Sequence, residues 1–159
     1  MEVFIKIFIA EGDFIKILID ADACPVTDIA ISVAKRRGIE CILVCDTSHL
    51  IEIPGTKTVI VSKGADSADF ALLKLIEKGD IAITQDYGLA AMCLALKCHV
   101  LNQNGLIYTN ENILSLLEMR NNARKARQSG RKVKGPAKRS DGQDTRFYES
   151  LLKLIETAE

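Results

Sequence analysis

The stretch Ile15-Lys16-Ile17-Leu18-Ile19-Asp20-Ala21-Asp22 constrains the fold of this chain more than any other. Its apolar run is short, rich in β-branched residues, broken only by Lys16, and closed by two aspartates. A run of this kind reads as a strand buried on both faces, as in parallel sheets covered by helices. Open parallel sheets place their ligands beyond the carboxyl ends of the strands. Asp20 and Asp22 therefore stand where chemistry is usually done. Two carboxylates so close together repel unless something positive lies between them, and a hard divalent cation with oxygen ligands meets that need. The plainer alternative makes Asp22 the cap of the following helix and Asp20 a solvated strand end.

Downstream, strand and helix signals alternate. Val26 to Arg37 has helical spacing and ends at Gly38. Ile39 to Cys45 is a second strand, and Thr58 to Val61, past Pro54-Gly55, a third. Asp66 to Lys78 reads as a helix ended by Gly79. Ile81 to Thr84 is a fourth strand, Leu89 to Leu96 a helix, and Cys98 to Leu101 a fifth strand. A turn over Asn102 to Gly105, a short extended piece over Leu106 to Tyr108 and a helix over Asn110 to Arg127 follow. This order predicts an α/β fold with a central, mostly parallel five-stranded sheet, helices on both faces and right-handed crossovers. In this reading 1–13 is an N-terminal extension, 14–127 the α/β domain, and 128–142 a basic linker rich in Gly, Lys and Arg. Residues 143–159 form a helix whose stripe Phe147, Leu151, Leu154 and Ile155 docks back on the body.

With 159 residues the chain suits one domain with a substantial core. Its five cysteines are odd in number and lack paired C-x-x-C spacing, which argues against a disulfide scaffold or a zinc site. Cys41 and Cys45 lie four residues apart on one predicted strand, roughly 13 Å, too far for a tetrahedral centre. Glu2, Lys6, Glu11 and Asp13 interrupt the apolar N-terminal stretch, and no membrane-length run follows, so a cytoplasmic location without membrane association is expected. A net charge of zero hides an uneven distribution: residues 1–119 carry 10 basic and 16 acidic side chains, while 120–139 carry 9 basic and none acidic. An acidic body with a basic strap fits a protein that holds metal in one place and polyanion in another. A solubilising linker is the simpler account of the strap.

A strand-end test sorts the acids. Asp20 and Asp22 follow the first strand. Asp66 and Asp69 open a helix soon after the third, three residues apart on one helical face. Asp86 follows the fourth strand. Asp46 follows the second, but Thr47-Ser48 and a long loop make it a turn residue instead. Asp80 precedes a strand and belongs at the opposite edge. Carboxylates from three strand ends thus converge, although Asp66 and Asp69 would also suit a helix N-terminus for its dipole alone. An all-aspartate cluster without His or Cys selects Mg²⁺ or Mn²⁺, ions that activate water and steady the leaving oxygen in phosphodiester hydrolysis. Walker, G-x-G-x-x-G and G-x-S-x-G motifs are missing, so NTPase, dehydrogenase and serine-hydrolase readings lack their signatures. His49 and His99 stand alone, and Cys24 among acids reads as a packing residue.

The run Ile17 to Val26 closely resembles the opening signature of the YaiI/YqxD family of bacterial proteins, which is grouped with the PIN-like nuclease domains. Gly64-Ala65-Asp66-Ser67-Ala68-Asp69, Gly79 to Ala90, Leu101 to Gly105, Tyr108 to Ile113, Gly135-Pro136 and Arg146-Phe147 through Leu151 extend the resemblance over about residues 15 to 155. It implies a PIN-like three-layer fold with its sheet ordered three-two-one-four-five. It also implies an acidic pocket at the strand ends that binds Mg²⁺ or Mn²⁺ and cuts RNA. Asp20, Asp86 and either Asp66 or Asp69 match the positions such domains use, and Asp22 is the extra acid of this family. Family members usually start near Phe14 or Ile15, so residues 1–13 are either an added edge strand or the product of an upstream start codon.

The leading expectation is a metal-dependent RNA nuclease. Asp20 and Asp86 are assigned to direct coordination, and Asp22, Asp66 and Asp69 complete the shell or act through water. Ser67 and Thr84 hydrogen-bond that shell, and Arg124, Lys125, Arg127, Arg131 and Lys132 hold RNA electrostatically. A non-catalytic RNA-binding module is the first alternative. A haloacid-dehalogenase-type phosphatase is the second, suggested by Asp20-x-Asp22, but Cys24 and Asp80 do not fit its pattern. Oligomeric state is not legible at this level.

Overall fold

The computed structural model describes residues 14–22, 24–47, 53–64, 66–132 and 138–158. Along the chain run β1 (Lys16–Asp20), α1 (Thr27–Arg37), β2 (Glu40–Asp46), β3 (Lys57–Val61), α2 (Ser67–Leu75), β4 (Ile81–Ile83), α3 (Tyr87–Ala95), β5 (His99–Leu101), β6 (Ile107–Tyr108), α4 (Asn110–Gln128) and α5 (Asp141–Ala158). The strands form one sheet in the order β3-β2-β1-β4-β5-β6. The first five are parallel, and β6 pairs antiparallel with β5 through Val100–Tyr108 and Leu101–Ile107. The sheet therefore has six strands, not the expected five. Asn102 Oδ1 accepts the N–H groups of Asn104 and Leu106, which folds the chain after β5 into a hairpin. That tight turn makes the two residues Ile107 and Tyr108 a strand.

Ile17, Leu18 and Ile19 of β1 are fully buried, and their alternation divides the core in two. Ile17 and Ile19 pack with α1 (Ala30, Val33) and α5 (Phe147, Leu151, Ile155) on one face. Leu18 packs with α2 (Leu72), α3 (Leu89, Cys93) and α4 (Ile113) on the other. At about 25 cal/mol per Å², burying each such Leu or Ile contributes about 1.5–3 kcal/mol, so the central strand is a main source of cohesion.

Most element ends fall within a residue of expectation, and those of α2, α3 and the linker shift for a local reason. α2 stops at Leu75 rather than Lys78 because Asp80 draws the chain out of the helix. Its Oδ2 accepts the Glu77 N–H at 2.8 Å and its own N–H donates to the Glu77 carbonyl at 3.0 Å. α3 starts at Tyr87 rather than Leu89 because Asp86 caps it across Gly88. The expected linker 128–142 is shorter at both ends, since Gln128 closes α4 and Asp141 opens α5. Residues 1–13 lie outside the described residues, as do 133–137 within the strap.

The direction of α4 matters for the site. β6 runs back from the carboxyl edge, and Tyr108 already lies opposite Val100 in the middle of β5. α4 then starts low on the sheet, with Thr109 accepting the Asn112 N–H in a capping box. Rising about 1.5 Å per residue, it reaches the carboxyl edge near Arg120 and projects beyond it. From Glu118 to Lys132 only Ala123 and Ala126 are partly covered.

Candidate functional site

Strand order reverses direction between β1 and β4, and the crevice above such a switch point is where open α/β sheets bind their ligands. Asp20 ends β1 there, and Thr84 follows β4. Thr84 is 1% exposed. Its Oγ1 donates to Asp20 Oδ2 at 2.9 Å and accepts the Asp86 N–H at 3.0 Å. The Tyr108 hydroxyl donates to its carbonyl at 3.4 Å. Thr84 therefore links the two acids at the centre of the crevice.

Asp86 is the N-cap of α3, and its Oδ1 accepts from Gly88 N at 2.8 Å and Leu89 N at 3.1 Å. Arg120 of α4 approaches the same oxygen at 3.7 Å. Asp22 lies just past β1, and both its oxygens accept the Asp46 N–H at 3.3 Å. Asp66 occupies the N-cap position of α2 in the left-handed region, φ 63°, without capping through its side chain. A non-glycine residue there is uncommon, though aspartate tolerates it better than most. Asp69 follows in the first turn of α2.

Electrostatics tie these acids together. The Asp69 carboxyl is pushed up to about 6, first by burial and then by the charges of Asp86, Asp20 and Asp66. Burial also raises Asp20 above the usual carboxylate range; the Thr84 hydroxyl opposes that shift, and Asp22 and Asp86 add to it. Each of the five aspartates singled out in the sequence is thus within electrostatic reach of another, on one edge of the sheet. Among the described residues, however, no three carboxylate, imidazole or thiolate groups stand close enough to hold a metal ion together. The donor set fits a hard cation in chemistry and in charge, while Asp86, Asp22 and Asp20 are engaged by Gly88, Asp46 and Thr84.

The remaining assignments fall into place unevenly. The Ser67 hydroxyl lies beside Gly64, where an added Cβ would come within 3.0 Å of it. Arg124, Lys125 and Arg127 line the exposed half of α4, and Arg131 and Lys132 follow it, also exposed. Arg139, at the end of the strap, is fastened to the body: it donates to the Gln103 carbonyl, Asn104 Oδ1 and Asp144. Burial pushes the Cys24 thiol up, and the charge of Asp20 adds to that. Asp80 sits at the opposite edge, 2% exposed. It accepts the Lys16 N–H and pairs with Lys16 Nζ at 2.9 Å. Two neighbours of the site were missed in the sequence. Asp46 ends the strand beside β1, a place the strand-end test had marked before the following loop argued it away. Arg120 carries no local signal, because its approach to Asp86 depends on how far α4 rises.

The fold and the site together define an α/β protein with an acidic crevice at its topological switch point. Residues 18–157 match the family model described as "Uncharacterized BCR, YaiI/YqxD family", and the chain belongs to that family. A UPF0178 protein of Exiguobacterium sibiricum is 45% identical over 140 residues, 88% of this chain and 96% of its own. Those of Clostridium acetobutylicum and Oceanobacillus iheyensis are each 43% identical, over 88% of this chain and 96% and 98% of theirs. No solved structure matches the chain. Among the described residues no helix is long and apolar enough to cross a membrane.

Proposed function

We propose that this protein is a PIN-like, Mg²⁺- or Mn²⁺-dependent nuclease that hydrolyses single-stranded RNA at the crevice above β1 and β4. The observation that carries this reading is the gathering of five aspartates at the switch point, where the charges of Asp22 and Asp86 push Asp20 up and those of Asp86, Asp20 and Asp66 push Asp69 up. Such crowding of negative charge is relieved by a hard cation, and neutral donors are lacking among the five. When bound, such an ion polarises a phosphodiester and makes water a better nucleophile. The chain's own part is to hold Asp20 and Asp86 in register through Thr84. Asp69, where it acts through water and not by direct coordination, is the acid that would take the proton the attacking water gives up. The exposed cations of α4 attract the phosphate backbone without reading bases.

The test compares purified wild type with Asp20→Asn and Asp86→Asn on single-stranded RNA with Mn²⁺. Cleavage by wild type alone supports the reading, and equal cleavage by all three betrays a contaminant. Titration calorimetry without RNA should show Mn²⁺ binding to wild type and its loss in Asp20→Asn. Absence of millimolar or tighter binding would sink the metal assignment. RNA retained but uncut by every form, whatever the sequence, returns the protein to the non-catalytic RNA-binding reading, which the exposed basic half of α4 favours.

A further inference from the structure

We infer that Phe70 and Arg120 are the substrate-positioning pair of this site, Phe70 stacking an unpaired base and Arg120 holding the adjoining phosphate. The inference rests on the reading of the crevice as a site acting on single-stranded RNA, and it says how the strand lies there. Helices α2, α3 and α4 share one face of the sheet, with α3 in contact with both its neighbours. The N-cap of α3, Asp86, is therefore flanked by the first turn of α2 on one side and by α4 on the other.

On the α2 side, Phe70 is 61% exposed although it is a large aromatic in a helix whose neighbours Ala71 and Leu72 pack on the sheet. It directly follows Asp69 and lies one helical turn beyond Asp66, its N–H donating to the Asp66 carbonyl at 3.0 Å. An exposed ring one helical turn past Asp66, at the end of α2 that faces the Asp86 N-cap, offers a π-face that takes any base, the usual platform of single-strand binding. On the α4 side, Arg120 Nη1 lies 3.7 Å from Asp86 Oδ1, with both side chains about half exposed. That oxygen already accepts two backbone N–H groups, so the guanidinium keeps donors for a phosphate. Gly88 leaves the approach open: an added Cβ there would sit 3.6 Å from Arg120 Nη1 and 3.1 Å from Asp86 Oδ1.

A cluster of aspartates repels a polyanion, and Arg120 is the cation that counters this at the crevice itself. Arg124 and Arg127 continue the row at helical spacings of four and three, about 6 and 4.5 Å further along α4. The strand enters along the basic half of α4, crosses the α3 N-terminus above Asp86, and lays its next base on Phe70.

The test measures binding of a short fluorescein-labelled single-stranded RNA and its blunt duplex by anisotropy, with the full chain in EDTA so that nothing is cut. Phe70→Ala should weaken single-strand binding between about five- and a hundredfold, with Phe70→Leu equally weak and Phe70→Trp restoring it. Its salt dependence should stay that of wild type. Arg120→Ala should flatten the salt dependence by about 0.7 in log–log slope. Duplex binding should be indifferent to Phe70. Single-strand binding by Phe70→Ala or Phe70→Leu equal to wild type, or an unchanged slope in Arg120→Ala, overturns the pair. If those variants bind normally while wild type still cuts RNA with Mn²⁺, the pair is wrong and the nuclease reading stands. If the binding signature appears and no form ever cuts, the nuclease reading fails and the pair remains as a binding device.

Discussion

Replacing Thr84 by valine tests the architecture of the crevice most directly, because shape is nearly kept and only the hydroxyl is removed. Two bonds disappear at a position 1% exposed: one to the Asp20 carboxylate and one from the Asp86 N–H. A bond to a charged group contributes about 1.5–3 kcal/mol and a neutral one about 0.5–1.5. The added methyl returns about 0.8 kcal/mol of burial. The net loss is about 1–4 kcal/mol at neutral pH, or about 2–15 °C in melting temperature for a chain of this size. The loss also depends on pH in a defined sense. The Thr84 bond favours the charged form of Asp20, so its contribution is present above the Asp20 pKa and fades as pH falls through it. At acid pH only the share of the Asp86 N–H remains. Thr84→Ser keeps the hydroxyl and should cost about 1 kcal/mol at every pH, from the lost methyl. Urea unfolding at several pH values between 4 and 8 reads all of this. A Thr84→Val protein within half a kcal/mol of wild type at pH 7, or equally destabilised across the range, would refute the link between the two acids.

Other expectations concern separate parts of the molecule. Asp69, raised from 3.8 to about 6 on folding, contributes stability that is full below 3.8 and lost as pH rises through about 6. Asp69→Asn should therefore gain on wild type in denaturant melts at pH 7.5 and show no gain at pH 4. Asp80→Ala leaves the half-buried Lys16 ammonium without its closest partner and two backbone N–H groups without acceptors, and should cost about 3–5 kcal/mol in urea titration. Gly105→Ala should cost about 2 kcal/mol or more and speed hydrogen exchange in α5. At φ +86° its new Cβ would sit 2.6 Å from the Arg146 carbonyl, which is backbone and cannot swing aside.

How much of this was legible beforehand follows from the range of each interaction. β1 and β2 were readable to within a residue because strands buried on both faces must be apolar throughout. Asp20 and Asp86 were readable as strand-end acids because the edge they occupy follows from chain direction alone. Their linkage through Thr84 was expected only as a possible hydrogen bond from the resemblance-led assignment. The end of α2 was not readable, because the residue that breaks the helix, Asp80, does so by competing for the Glu77 backbone rather than by an intrinsic propensity. β6 was missed as a sheet member because two residues carry no periodicity, and their pairing comes from the Asn102 turn. Arg120 and Phe70 were invisible for a third reason: what sets them apart is position relative to distant segments.

The docking of α5 has a consequence for how the chain acquires its structure during synthesis. One whole face of β1, carrying Ile17 and Ile19, is closed by Phe147, Leu151 and Ile155, well over a hundred residues later. Ser150 and Arg139 lock that closure onto the β5–β6 turn through the Gly105 and Gln103 carbonyls. Until residues 141–158 have been made, the nascent sheet carries an apolar surface that α1 alone covers among the described helices. Contacts of such long sequence separation form late and slowly. The growing chain is then a client for chaperones and prone to sticking to its own copies, and a truncation before Asp141 should accumulate in aggregates even though every strand of the sheet is present.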